Sequence, residues 1–217
     1  MNFIPKEIED YAFAHTSNEE LVLKELARET EAKVLRPRML SGLLQGKLLM
    51  LISHMIKPKY ILEIGTYTGY SAICLAQGLV HGGLLHTIDH NEELEDFAKT
   101  YFKKANLEKK IKMHIGEALE VIPTIEDPLD LVFIDADKEN YIYYYKQVID
   151  KLNPGGFILV DNVLWSGKVL KKPEKNDFET IQMIQFNELV QNDERVENLL
   201  LPFRDGLSII RKKRIQQ

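Results

Sequence analysis

Short apolar runs separated by amphipathic stretches organise the chain from residue 60 onward. The runs "YILEI" (60–64), "LLHTID" (84–89), "KIKMHI" (110–115), "LVFIDA" (131–136) and "GFILVDN" (156–162) are nearly all apolar, as strands covered on both faces are. Between them, apolar residues recur at helical spacing, predicting helices over about 70–80, 91–106, 117–124 and 139–152. Strands alternating with helices predict an α/β fold with helices on both faces of a parallel sheet. The chain ends differently. After a helix over about 177–192 come "ENLLLPF" and "GLSIIRK", whose Asp205-Gly206 turn predicts an antiparallel hairpin. The sum is a seven-stranded, mostly parallel sheet with an antiparallel last strand.

The first 57 residues read as a helical N-terminal extension. "SNEELVLKELARETEAK" opens on a capping-box pattern, Ser17 to Glu20, and "MLSGLLQGKLLMLISHMIKP" is a more apolar helix ended by Pro58. These helices are amphipathic and predict a homodimer. No repeat or linker interrupts the chain, so residues 1–217 are expected to form one domain.

Composition narrows the function classes. The chain has 217 residues, 45% hydrophobic and 28% charged, with a net charge of -5. That balance predicts no nucleic-acid partner, because phosphate binding needs a basic face. The one dense basic run, "RKKR" at 211–214, reads as a solvated strand end. A single cysteine, Cys74, excludes an internal disulfide and reads as a small buried hydrophobe. The N-terminus lacks the apolar core of a signal peptide, and no apolar run approaches the length of a membrane span. A cytoplasmic protein without a membrane partner is expected.

Candidate chemistry gathers at strand ends, where ligands bind in open parallel sheets. The first strand runs into "LEIGTYTGYS". Gly65 and Gly69 permit a tight strand-to-helix turn. A pyrophosphate would need a second glycine where Tyr67 stands, so the loop suits a nucleoside cofactor without phosphates, a description that S-adenosylmethionine meets. Asp89, ending the second strand, can accept from both ribose hydroxyls, and Glu63 can meet the cofactor's charged amino group. Taken singly, these residues read equally well as a turn glycine and a helix-capping carboxylate.

The fourth strand ends in Asp135 and the fifth in Asp161-Asn162. In this winding the two strands are neighbours, so two carboxylates and an amide oxygen converge. These are hard oxygen ligands suited to Mg²⁺, or to Mn²⁺ or Ca²⁺. A cation there would offset the cost of burying the carboxylates. Lys138 follows in the next turn, where partial burial and a nearby cation favour a neutral amine able to act as a general base. Otherwise it is a surface lysine paired with Asp137 or Glu139. The histidines offer no competing site: His86 and His90 do not share a face, and His15, His54, His81 and His114 read as isolated.

From about Met39 to Lys212 the sequence resembles the metal-dependent O-methyltransferases that include the caffeoyl-CoA and catechol enzymes, the bacterial branch most of all. The stretches that carry the likeness are "RMLSGLLQGKLL", "ILEIGTYTGYSA", "TIDHNEE", "FIDADKENYIYYY", "GGFILVDNVLWSGKV" and "LPFRDGLSIIRK". The resemblance implies a Rossmann-like class I methyltransferase fold. It assigns Asp135, Asp161 and Asn162 to the metal and Lys138 to catalysis as the base. Glu63, Gly65, Tyr67, Ser71 and Asp89 fall to S-adenosylmethionine, with Asp135 beside them. Met39, Ser41 and Ala118 would line the methionine and adenine ends. Trp165 would wall the acceptor pocket, with Arg204 facing it and the lysine-rich loop 166–178 reaching toward an anionic substrate. The implied reaction methylates a phenolic hydroxyl of a catechol-like small molecule. Two other classes stand beside it: an NAD-dependent oxidoreductase on a related fold, and a non-catalytic module that keeps the cofactor pocket.

Overall fold

A computed structural model describes residues 4–214 of the chain. In it seven strands form one sheet: β1 (Tyr60–Ile64), β2 (Leu84–Asp89), β3 (Ile111–Ile115), β4 (Leu129–Ile134), β5 (Leu152–Asp161), β6 (Val196–Leu201) and β7 (Leu207–Lys212). Their order is β3-β2-β1-β4-β5-β7-β6. The first five are parallel, and β7 runs antiparallel to both β5 and β6. The expected antiparallel ending is therefore present, with the last strand inserted between β5 and β6.

Side chains alternate across each strand, and both faces are covered. On one face Leu62, Ile64, Val132, Ile134, Ile158 and Val160 pack against α6 (Ala118–Val121), α7 (Tyr141–Lys151) and α8 (Phe178–Gln191), with Tyr145 and Phe186 at the centre. On the other, Ile61, Leu85, Leu131, Phe133 and Leu159 meet α2 (Leu21–Lys33), α3 (Gly42–Ile56), α4 (Tyr70–Ala76) and α5 (Glu95–Lys104). The remaining helix, α1 (Lys6–Ala14), buries no residue. Glycine allows α3 and α4 to approach: a Cβ on Gly46 would come within 2.6 Å of the Tyr70 ring.

The N-terminal region corrects two expectations. The Ser17–Glu20 capping box does not form, because α2 begins only at Leu21 and its N-cap, Glu20, makes no side-chain cap bond. Glu19 instead accepts a hydrogen bond from the Tyr70 hydroxyl, tying this segment to α4. The 20-residue segment Pro37–Ile56 also contains an 18-residue window of mean hydropathy 1.4, as long and apolar as a membrane span, contrary to the expectation that no such run exists. Its α3 part buries Gln45, Gly46, Leu49, Ile52 and Ser53, and Ser53 donates to the Leu75 carbonyl, so this face of the helix belongs to the core. The reading of the N-terminus as lacking a leader begins on residues 1–3, outside the described range.

Candidate active site

Where β1 and β4 end side by side, the sheet opens into a cavity of about 930 Å³. That volume is in the range of small-molecule sites. Met39, Ser41, Gly65, Tyr67, Ser71, Asp89, Ala118, Asp135, Lys138, Asp161, Asn162, Trp165 and Arg204 all line it. Residues separated by most of the chain's length thus meet at one edge, because parallel strands deliver all their C-terminal ends to the same side.

The turn after β1 is shaped by backbone geometry. Gly65 has φ +100, and a Cβ there would lie 2.1 Å from the Asp135 carbonyl oxygen; Gly69, at φ +88, faces the Phe102 ring. Tyr67 also takes positive φ, 48°. Its N–H donates to Asp89 Oδ2 at 2.7 Å, and its hydroxyl donates to the Leu35 carbonyl at 3.0 Å, fastening the segment before α3 across the cavity. Asp89 Oδ1 accepts the Asn91 N–H at 2.9 Å. The carboxylate is thus oriented by two backbone donors and keeps lone pairs free for hydroxyl donors.

Glu63 lies beneath this turn, fully buried and outside the cavity lining. Thr87 donates to its Oε2 at 2.5 Å, while Oε1 has no partner. Burial raises its pKa to about 8; the nearby Ser71 and Thr87 hydroxyls oppose the shift, and the Asp135 and Asp89 charges add to it. The result is a buried acid with one unpartnered oxygen under the glycine turn, next to the cavity rather than in its lining.

At the ends of β4 and β5, Asp161 is 5% exposed. Its Oδ2 accepts from Gln45 Nε2 at 2.6 Å and its Oδ1 from the Asn162 N–H at 2.8 Å. Burial, then the Asp135 carboxylate, raise its pKa. Asn162 sits at φ 63, where the chain turns sharply after the strand. Neither Asp135 nor Asp161 caps a helix. Among the described residues no three His, Cys, Asp or Glu side chains gather as a metal cluster. The donor set is two carboxylates and an amide, and a buried Asp161 whose proton affinity the neighbouring Asp135 charge raises fits a divalent cation.

Lys138 is 8% exposed, which excludes a surface lysine paired with Asp137 or Glu139. Its Nζ donates to Tyr141 Oη at 2.7 Å, the Ala136 carbonyl at 2.9 Å and Asp135 Oδ1 at 3.2 Å. Tyr141 in turn donates to the Asp161 carbonyl at 3.2 Å, and the Lys138 ammonium lies 5.9 Å from the Trp165 ring centre. Trp165 itself takes φ 47, and the next two residues are also left-handed, which bends the chain sharply beside the cavity that Trp165 lines. On its far side Arg204 donates to Gln45 Oε1 and to the Ser41 carbonyl.

Sequence reasoning missed Gln45, whose partner Asp161 is distant in the chain. It also misjudged the histidines. His114 is not isolated: its Nε2 lies 2.9 Å from His86 Nδ1, and His86 Nε2 lies 3.0 Å from Asp127 Oδ2. This chain lies away from the cavity lining, and burial lowers the pKa of both rings, His114 to about 4.

Comparison with known proteins gives a consistent picture. The sequence profile of a family described as O-methyltransferase matches residues 13–213. Caffeoyl-CoA O-methyltransferase 5 of Nicotiana tabacum is 33% identical over 201 residues, covering 88% of this chain and 83% of the relative. Catechol O-methyltransferase domain-containing protein 1 of Mus musculus is 36% identical over 171 residues, 76% of this chain and 64% of that protein. Among solved structures, the O-methyltransferase from Bacillus cereus in complex with SAH is 31% identical with a TM-score of 0.89, covering 95% of this chain and 97% of that one. The O-methyltransferase TomG from Streptomyces achromogenes in complex with SAM is 27% identical, with a TM-score of 0.87 over 96% of each chain.

Proposed function

The chain belongs to the O-methyltransferase family, and on that premise we propose that it carries the methyl group of S-adenosylmethionine to one phenolic oxygen of a catechol-like vicinal diol. The observation that carries this reading is the meeting of Asp135, Asp161, Asn162 and buried Lys138 in the same cavity as the glycine turn and Asp89. Glu63 and Asp89 are suited to the two polar ends of the cofactor, its amino group and its ribose. Gly65 and Ser71 leave room for the methionine part, and Ala118 and Met39 offer apolar surface.

Asp135, Asp161 and Asn162 would hold a divalent cation, Mg²⁺ or in its place Mn²⁺ or Ca²⁺. Bound there, it supplies Lewis-acid polarisation of the acceptor's paired oxygens. Lys138 Nζ, held in place by Tyr141 and the Ala136 carbonyl, is the group placed to take the proton of the attacking hydroxyl. The oxygen–carbon bond forms as the carbon–sulfur bond breaks, and the electron pair leaves on sulfur, giving S-adenosylhomocysteine. Trp165 and Arg204 close the acceptor side and fix its orientation. Lys168, 5.8 Å from the Trp165 ring centre and paired with Asp177, belongs to a lysine-rich loop that would favour an acceptor with an anionic tail.

Exposed apolar side chains on α1 and α3, Ile8, Tyr11, Leu51 and Met55 among them, support a homodimer, and the acid-leaning charge argues against a nucleic-acid partner.

The test is a matched pair of acceptors, 3,4-dihydroxybenzoate and 4-hydroxybenzoate, each supplied with S-adenosylmethionine and Mg²⁺. Transfer to the diol at least a hundred times faster than to the monophenol is expected. Equal rates on both would remove chelation by paired oxygens from the reading.

A further inference from the structure

Gln45 is 1% exposed and stands near the start of α3, far in sequence from the strand ends it touches. An arginine offers only donors, so the hydrogen bond from Arg204 to Oε1 fixes which way the amide points. The nitrogen then faces β5 and donates to Asp161 Oδ2 at 2.6 Å. Three parts of the fold converge on this side chain: α3, the end of β5 and the β6–β7 turn that carries Arg204. The guanidinium is engaged by Gln45 and by the Ser41 carbonyl rather than by the carboxylate. A direct arginine–aspartate pair would neutralise Asp161 and compete with a cation for its oxygens. An amide placed between them holds the carboxylate in one orientation and leaves its charge available.

We infer that Gln45, anchored by Arg204, is a positioning residue that presents Asp161 to the divalent cation. The inference rests on the metal reading proposed above and adds a residue to it. Partners that orient a ligating side chain typically change metal affinity by about 10- to 100-fold when removed. Asp161 has one oxygen fixed by its neighbour's N–H and the other by Gln45, so loss of the amide frees the half of the carboxylate that faces α3.

The experiment measures Mn²⁺ binding by electron paramagnetic resonance on cofactor-free protein, alongside S-adenosylhomocysteine affinity without metal. Wild type, Gln45→Met, Arg204→Met and the double variant are compared. Gln45→Met should weaken Mn²⁺ binding at least 10-fold and leave S-adenosylhomocysteine affinity within twofold. Arg204→Met should weaken Mn²⁺ in the same direction, and the double variant should be no weaker than Gln45→Met, because the arginine acts through the amide. Should Gln45→Met fail to fold, Arg204→Met decides: Mn²⁺ affinity within twofold of wild type overturns the inference. The same result in a folded Gln45→Met overturns it outright, as does a loss confined to S-adenosylhomocysteine. A wild-type chain that binds no Mn²⁺ overturns the metal reading itself and this inference with it.

Discussion

Glu63 and Lys138 are both buried ionisable groups beside the cavity, and their surroundings set different expectations. The folded chain holds a proton on Glu63 up to pH about 8, whereas an exposed glutamate releases it near 4.5. The folded pKa is the higher of the two, so this residue's contribution is fully present below about 4.5 and is lost as pH rises to about 8. Urea unfolding of the cofactor-free protein should show stability falling across that window, by up to about 5 kcal/mol, and Glu63→Gln should flatten the slope. An unchanged slope in the variant would assign it to other groups. For Lys138, replacement by Ala should lower turnover by about 10²-fold or more while S-adenosylhomocysteine still binds, since the amine touches the acceptor side. Loss of cofactor affinity in calorimetry would remove its role as base. Asp135, Asp161, Asn162 and Lys138 were legible in the sequence because each sits at or just past the end of an apolar run. Gln45 was not, since nothing local marks a glutamine on an apolar helix as the partner of a carboxylate on another element.

At the level of elements, the turn from β1 into α4 is the most constrained joint in the site. An alanine at position 65 would combine φ +100 with a Cβ 2.1 Å from the Asp135 carbonyl. Gly65→Ala should therefore cost at least about 2 kcal/mol and weaken S-adenosylhomocysteine binding at least 10-fold, which thermal melts with and without the ligand would report. A wild-type melt and affinity would mean the turn relaxes freely. The parallel strands were readable from their apolar runs and the hairpin from Asp205-Gly206. Helix starts were less so: Ser17 and Glu20 have the spacing of a capping box, but Tyr70 recruits Glu19 and α2 begins beyond them. Tertiary contact overrode a local signal there. The pairing of His86 with His114 needed the β2–β3 register, which no spacing along the chain reveals.

For the whole molecule, the winding order brings β4 beside β1 on one side and β5 on the other, so the cofactor turn and the paired carboxylates share one cavity. Chemistry that needs acceptor oxygen, methyl carbon and sulfur in line, with a base beside the oxygen, is served by that adjacency. The exposed apolar residues of α3 predict a particle of twice the chain mass in light scattering, reduced to one chain by Leu51→Asp with Met55→Asp; a monomeric wild type would contradict this. The most direct test of the account is transfer of labelled methyl from S-adenosylmethionine to 3,4-dihydroxybenzoate, with Mg²⁺ and then with excess chelator. A divalent cation held by Asp135, Asp161 and Asn162 predicts transfer that the chelator abolishes and that renewed Mg²⁺ restores. Transfer at the same rate in chelator would contradict it.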